Sequence, residues 1–198
     1  MLRDLAQDLV DLIFDWGYFG IFIMMAIESS FIPFPSEIVL IPAGYLASQE
    51  KMNVFYILAS ALGGSLVGAF VNYYLAFTLG RKFLLKFGKY FFIKEHTLLK
   101  MEDFFEKHGH ISTFTGRLIP GIRQLISIPA GIAKMRIVQF SLYTTLGALM
   151  WAMVLTFLGY FIGENQELID IYLKQITVGV VVIVLLFVSL YAYKQRKK

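Results

Sequence analysis

Three long stretches of the chain contain no charged residue. They are residues 52–80, 137–163 and 175–193, which are 29, 27 and 19 residues long. Each exceeds the roughly 18 apolar residues that a helix needs to cross a bilayer. The sequence therefore predicts an all-α polytopic membrane protein.

The composition agrees with this class and excludes others. Hydrophobic residues make up 58% of the chain and charged residues 16%, whereas soluble domains have about 45–50% and about 25%. The net charge of +4 is better explained by membrane topology than by a basic groove, so we do not expect nucleic-acid binding. There is no cysteine, and the three histidines lack a spacing typical of metal sites, so we predict no metal and no cofactor.

Two further stretches, residues 17–49 and 109–134, are apolar but interrupted by prolines and charges. A proline leaves helix carbonyls unpaired, and hydrocarbon tolerates this only where the backbone is buried in protein or lines a wet cavity. We interpret each stretch as a re-entrant hairpin, although a pair of short spans would give the same charge distribution. The predicted hairpin breaks are Pro33, Pro35, Pro42, Pro120 and Pro129.

The two interrupted stretches form part of an internal repeat. Ile41-Pro42-Ala43-Gly44 recurs as Ile128-Pro129-Ala130-Gly131, and the same offset of 87 residues carries Pro33 onto Pro120. A charge-free span follows in both halves, so we predict two repeats within a single membrane domain, residues 1–198. The predicted parts are an amphipathic helix (1–16), repeat 1 (17–80, with hairpin 17–49 and span 52–80), a cytoplasmic amphipathic loop (81–108), repeat 2 (109–163, with hairpin 109–134 and span 137–163) and a final transmembrane helix (175–193).

The distribution of basic residues sets the predicted orientation. With three crossing spans, one side of the membrane holds three Lys/Arg and eight acids, and the other holds thirteen Lys/Arg and four acids. The positive-inside rule places the basic side in the cytoplasm. The N-terminus is then external and the C-terminus cytoplasmic. The two hairpins enter from opposite faces, so the repeats are inverted.

Four ionisable side chains fall within the membrane in this topology: Glu28, Glu37, Arg117 and Arg123. Each charge at the bilayer centre costs about 2.5–3.5 kcal/mol on insertion scales, so the four need partners or a function. One hypothesis is that they pair and lock the hairpins together. The hypothesis that we favour is that the arginines bind a phosphate headgroup and the glutamates carry protons. The two hypotheses are compatible if the substrate breaks the ion pairs between the glutamates and the arginines.

The motifs around these charges resemble one bacterial membrane-protein family, the DedA family, also called VTT or SNARE-associated proteins. The resemblance covers about residues 16–163, and its most specific part is Gly-Arg-x-x-Pro-x-x-Arg at 116–123. The other matching residues are Glu28, Pro33-Phe34-Pro35-Ser36-Glu37, Pro42-Ala43-Gly44, Pro129-Ala130-Gly131, Met135, Phe140 and Trp151-Ala152.

This resemblance implies paired re-entrant hairpins and transbilayer movement of lipids. Family members recycle undecaprenyl phosphate or flip phospholipids such as phosphatidylethanolamine, and they depend on the proton-motive force through acids and arginines that match Glu28, Glu37, Arg117 and Arg123. The expected protein is a non-enzymatic flippase of the bacterial cytoplasmic membrane, coupled to protons or sodium.

The chain departs from the family pattern at two places. Many members have an acidic residue in the helix that matches 52–80, where Asn72 is the nearest polar group here, and many have a Trp pair where this chain reads Met150-Trp151. The first departure leaves Glu28 and Glu37 as the candidate proton sites in the membrane.

Two functional alternatives and the oligomeric state stay open at this stage. An ion channel or cation/proton antiporter fits the acids, but the adjacent arginines would repel monovalent cations. A membrane-bound lipid phosphatase usually needs a nucleophile with a base, or a metal cluster, and the two acids stand with no metal-ligand motif. Gly159 and Gly163 fit either packing within the chain or a homodimer.

Overall fold

A computed structural model describes residues 16–30, 35–80, 95–119, 121–162 and 165–196. This described part is helical and contains no strand. Its helices are α1 (Trp16–Glu28), α2 (Glu37–Ser48), α3 (Val54–Leu75, continued by a π-helical turn, Ala76–Gly80), α4 (Glu95–Leu118), α5 (Ser127–Ile132), α6 (Ile137–Ile162) and α7 (Gln166–Arg196).

Three helical segments are long and apolar enough to cross a membrane: Val54–Gly80, Ile137–Ile162 and Ile171–Tyr191. They coincide with the three charge-free stretches, which confirms the prediction of an all-α polytopic fold. Large apolar side chains such as Ile183 and Leu190 face outward on α7 and are more than half exposed. Such a surface suits lipid and not water, and the chain is a multi-pass membrane protein.

Three of the four helices beside the proline-rich breaks, α1, α2 and α5, are shorter than these spans. Helix α1 ends at Glu28 and α2 begins at Glu37. Pro35 directly precedes Ser36, the N-cap residue of α2. Helix α4 ends at Leu118 and is followed by turns over residues 121–126. The helix ends at Glu28 and Glu37 lie close to Arg123 in the turns after α4, while re-entry from opposite faces stays a prediction. Pro33, Pro120, the predicted helix at 1–15 and loop residues 81–94 lie outside the described residues.

Two of the predicted breaks are wrong. Pro42 lies inside α2, and Pro129 is the third residue of α5. A proline in the first turn removes an N–H that has no partner within the helix, which explains why α5 accommodates Pro129. Packing by neighbouring helices allows Pro42 to remain helical, as in other membrane helices.

The boundary predicted between the cytoplasmic loop and the second hairpin is also wrong. Helix α4 runs without interruption through residues 108 and 109, so the first arm of this hairpin is the end of a 24-residue helix. Its second arm, α5, has 6 residues, against 12 in α2. The two hairpins are therefore unequal in length. The charged side chains of Asp103 and Lys107 are exposed on α4 and do not mark its end.

The second arm of each hairpin packs against the long span of the other half. On α2, a Cβ at Gly44 would overlap the carbonyl oxygen of Thr156 in α6, and one at Gly159 would overlap that of Ile41. On α5, a Cβ at Gly131 would overlap the carbonyl oxygen of Tyr73 in α3. The two copies of Pro-Ala-Gly thus make equivalent backbone-to-backbone contacts.

The first arms pack against the span of their own half. A Cβ at Gly68 of α3 would overlap the carbonyl oxygen of Ala26 in α1, and Gly147 of α6 lies against the Cβ of Arg117 in α4. Close helix approach at small residues is the usual packing mode in membranes. The halves are therefore intertwined, and the two hairpin breaks lie next to each other in the interior.

Gly44→Ala should lower the thermal stability of the protein in detergent. The added methyl overlaps a backbone carbonyl of α6 that cannot move alone, and overpacking of this kind costs about 1–3 kcal/mol. The control is Gly179→Ala, because a Cβ there meets nothing within 4 Å. Equal unfolding temperatures for the Gly44 variant and wild type would contradict the close contact between α2 and α6.

Candidate functional site

Four charged side chains from four segments meet where the hairpins adjoin. Glu28 is the last residue of α1 and Glu37 the first of α2, whereas Arg117 lies in the last turn of α4 and Arg123 in the turns that follow. Glu28, Arg117 and Arg123 are only 3%, 4% and 7% exposed. The helix breaks therefore place charged groups in the protein interior.

The guanidinium of Arg123 joins both carboxylates. Its Nη2 lies 3.0 Å from Oε1 of Glu28 and 3.6 Å from Oε1 of Glu37. The Glu28 and Arg123 side chains are almost fully buried, while that of Glu37 is 24% exposed. Removing one partner of such a buried pair costs about 3–5 kcal/mol, because the other charge is left without compensation. Arg123 therefore connects the second hairpin to both arms of the first.

The carboxylate of Glu28 lies in an environment that requires this partner. It is at the C-terminus of α1, where the negative end of the helix dipole disfavours a second negative charge. Its Oε2 accepts a hydrogen bond of 2.9 Å from the Ser29 hydroxyl. Glu37 has the opposite setting, because it lies in the first turn of α2, where an acid is favoured. The ion pair to Arg123 thus matters most for Glu28.

Arg117 is buried without a carboxylate partner within 4 Å among the described residues. Its Nη2 donates a hydrogen bond of 3.2 Å to the hydroxyl of Ser127, the first residue of α5. Its position in the last turn of α4 is favourable for a cation. The Nε donor of this guanidinium has no hydrogen-bond partner among the described residues.

A small cavity separates the two arginines. It has a volume of about 20 Å³ and is lined by Met25, Glu28, Ser29, Ser65, Arg117, Arg123, Ala148, Trp151 and Ala152. Three buried N–H groups of these residues have no hydrogen-bond partner within the described part of the chain: Nε of Arg117, Nε of Arg123 and Nε1 of Trp151. Buried donors of this kind are rare and call for an explanation such as an exchangeable ligand or water.

Trp151 forms the wall of this cavity beside Arg123. The guanidinium carbon of Arg123 lies 5.3 Å from the centre of the indole ring, within cation–π distance. The space that remains accommodates about one water molecule, and a phosphate group does not fit in it. The site is therefore closed in this structure, and a group as large as phosphate could enter only if the surrounding helices moved apart.

Sequence reasoning identified all four charged residues but not their arrangement. The structure brings Glu28, Glu37 and Arg123 into one ion-paired group, and it leaves Arg117 beside that group without an acid. Trp151 and Asn72 were missed as parts of the junction. Trp151 was noted only as a family-matching residue and as half of an altered Trp pair, and the signal for Asn72 was an amide in the middle of a charge-free span.

The described site combines cationic hydrogen-bond donors with two carboxylates. Among the residues that the structure describes, no group of three or more His, Asp or Glu is positioned to hold a metal ion. Two guanidinium groups and an indole supply donors, and two carboxylates compete for one of those guanidinium groups.

Comparison with known proteins identifies the family. A family model described as the VTT domain matches residues 34–161. Uncharacterized membrane protein YkoX of Bacillus subtilis is 40% identical, with 100% of this chain and 88% of that protein covered. An alkaline phosphatase-like protein of Lactococcus lactis subsp. lactis is 34% identical, and undecaprenyl phosphate transporter A of B. subtilis is 33% identical; each match covers 96% of this chain and 94% of the relative. No solved structure matches the chain.

The family model covers well over half of the chain, and all three relatives exceed 30% identity over nearly its full length. The resemblance inferred from the hairpin motifs is thereby confirmed. The chain belongs to the VTT-domain family, also known as the DedA family.

Proposed function

We propose that the protein is a transporter that moves the phosphate headgroup of a lipid, undecaprenyl phosphate, across the bacterial cytoplasmic membrane. The observation that carries the proposal is Arg117, a buried guanidinium with no carboxylate within 4 Å among the described residues, beside a cavity with unsatisfied N–H donors. A cation in this position is costly unless an anion joins it during the functional cycle. The relative named undecaprenyl phosphate transporter A supports the choice of lipid.

In the proposed mechanism, Arg117 and Arg123 hold the phosphate together. Arginine remains charged and offers a planar fork that matches phosphate oxygens. Arg117 already has free donors, whereas Arg123 must first leave Glu28 and Glu37. Headgroup and carboxylates therefore compete for Arg123, and the lipid tail remains in the bilayer while the headgroup passes.

Competition at Arg123 also provides a route for proton coupling. A proton on Glu28 removes the charge that holds Arg123 at 3.0 Å, and the guanidinium is then free to bind phosphate. Loss of that proton restores the ion pair and expels the phosphate. The half-buried Glu37, with 24% of its side chain exposed, is the proposed point at which protons enter from water.

The proposed orientation follows from the basic residues. The C-terminus, the region around residues 81–108 and the loop with Lys134 and Arg136 carry the positive excess and face the cytoplasm, so the N-terminus is external. The proposed repeats are inverted, with hairpins entering from opposite faces, and this arrangement is typical of transporters with alternating access.

A lipid phosphatase is the alternative that the Lactococcus lactis relative's name suggests. Phosphoryl hydrolysis needs an activated nucleophile or a metal-bound water. The described cavity is lined by two guanidiniums, an indole, a carboxylate and two serines, and no group of three or more His, Asp or Glu among the described residues is positioned to hold a metal-bound water. Release of inorganic phosphate from a polyprenyl phosphate by the purified protein would favour the phosphatase over the transporter.

Arg117→Ala should abolish most transport while the protein still inserts. Loss of a charge-assisted ligand to phosphate corresponds to roughly a tenfold to hundredfold lower rate. The measurement uses proteoliposomes with a labelled short-chain polyprenyl phosphate, scored for accessibility in each leaflet. Because Arg117 has no ion pair to lose among the described residues, this variant is cleaner than Arg123→Ala, which leaves two acids without their cation.

The matched control for this experiment is Arg136→Ala. Arg136 is exposed directly before α6, so this substitution removes one positive charge without changing a residue that lines the cavity. Normal rates in properly inserted Arg117→Ala protein would contradict the phosphate site. If wild type moves labelled phosphatidylethanolamine and not the polyprenyl phosphate, the transporter stands but the proposed lipid is wrong.

Glu28→Gln should uncouple transport from the proton gradient. The amide keeps the shape of the side chain but carries no charge to hold Arg123, so the headgroup no longer needs a proton to displace the pair. The expected result is transport that varies little with an imposed pH gradient, against clear stimulation in wild type. An unchanged gradient response in Glu28→Gln would exclude Glu28 as the coupling residue.

Trp151→Leu should slow transport about tenfold, whereas Trp151→Phe should remain within about threefold of wild type. The aromatic face that holds Arg123 is lost in the first variant and kept in the second, and a desolvated cation–π contact contributes about 2 kcal/mol. If both variants lose activity equally, the indole N–H, and not the ring face, is the important group.

A further inference from the structure

We infer that Asn72 is the positioning residue that couples the two hairpin breaks and fixes the ion pair between them. Asn72 lies on α3 and is 1% exposed. Its Nδ2 donates to the carbonyl oxygen of Ser29 in the first hairpin and to that of Gln124 in the second, both at 3.2 Å. One side-chain amide thus bridges two segments that are 95 residues apart in the chain.

Both carbonyls are left without a helical partner by prolines. In a continued helix, the Ser29 carbonyl would accept from the N–H of residue 33, which is a proline and has none. The Gln124 carbonyl would accept from Ile128, but that N–H bonds to Leu125 at 3.0 Å. Leu125 requires it because its own helical donor would be residue 129, also a proline. Asn72 replaces what the two prolines remove.

The orientation of the amide follows from its partners. Both neighbours are carbonyl oxygens, which only accept, so the NH₂ group must face them and the amide oxygen must point away. Oδ1 of Asn72 has no hydrogen-bond partner among the described residues. A buried acceptor without a partner is unfavourable, so helix packing alone does not account for an amide at this position.

The bridged carbonyls lie next to the central ion pair. Ser29 follows Glu28, and Gln124 follows Arg123. The side chains of Glu28 and Arg123 lie 3.0 Å apart. If either hairpin moves away from α3, a backbone carbonyl loses its donor in a region without bulk water. Asn72 therefore holds Glu28 and Arg123 at the same depth, so that the pair re-forms after each opening. This role rests on the proposed transport function.

The test measures the hairpin junction directly as well as transport. The chain has no cysteine, so single cysteines at Ser30 and Leu125 introduce one pair of spin labels across the two breaks. We compare wild type with Asn72→Leu, of similar volume without donors, and Asn72→Asp, of the same shape without N–H groups. Thr144→Val is the control, because Thr144 is fully buried with an unpaired hydroxyl but does not bridge the hairpins.

We expect one narrow distance distribution in wild type and Thr144→Val, and a broadened or shifted one in both Asn72 variants. Their transport rates should fall about tenfold, on the order of the effect of one lost buried hydrogen bond. Narrow, unchanged distributions in either inserted Asn72 variant would overturn the inference, and the second variant decides if the first does not insert. A wild type that moves no lipid would contradict the proposed function, while the distances would still decide whether Asn72 couples the hairpins.

Discussion

A single guanidinium forms the buried ion pairs that link the two hairpins. Arg123 comes from a broken segment of the second hairpin and pairs with acids on both arms of the first. A charge buried to this extent is stable only with its partners, so the position of one hairpin depends on the position of the other. Any event that changes the charge on Glu28 or offers Arg123 a different anion acts on the whole junction.

The surrounding structure makes this interaction possible by excluding water. Glycine contacts bring α2 against α6 and α5 against α3 at backbone distance, and the resulting core leaves space for about one water molecule between the arginines. Broken backbone in such a dry place needs internal donors. Prolines at the breaks create unpaired carbonyls, and Asn72 satisfies one carbonyl on each side. The breaks that place charged residues at helix ends thus also require a neutral polar residue, Asn72, on a charge-free span.

The sequence was sufficient for the features that depend on local composition. Charge-free length predicted the three spans, and charges in apolar surroundings identified Glu28, Glu37, Arg117 and Arg123, because both signals reflect the cost of transfer into hydrocarbon. The sequence could not predict which of these charged residues form ion pairs. Nothing in the spacing of Arg117 and Arg123 indicates that only the second contacts acids, because this depends on the turn after α4. Asn72 was missed for the same reason: its partners are backbone carbonyls, whose availability depends on where helices end.

Proline positions illustrate a second limit. Pro35 precedes a helix, while Pro42 and Pro129, which occupy equivalent positions in the two repeats, lie within helices. The propensity of proline is local, but neighbouring helices determine whether the backbone breaks there. Charge along α4 misled in a comparable way, since the helix that carries the exposed Asp103 and Lys107 continues into the hairpin.

Competition between phosphate and carboxylate for Arg123 is the central claim, and equilibrium binding tests it most directly. In a Trp16→Phe background, Trp151 is the remaining tryptophan, so its fluorescence reports a short-chain polyprenyl phosphate at the cavity. At alkaline pH, Glu28→Gln should bind this lipid about tenfold more tightly than the protein with Glu28, since Arg123 is no longer held by that carboxylate. At acidic pH the two affinities should converge, and titration of the lipid itself is common to both. Equal affinities at alkaline pH would contradict the account.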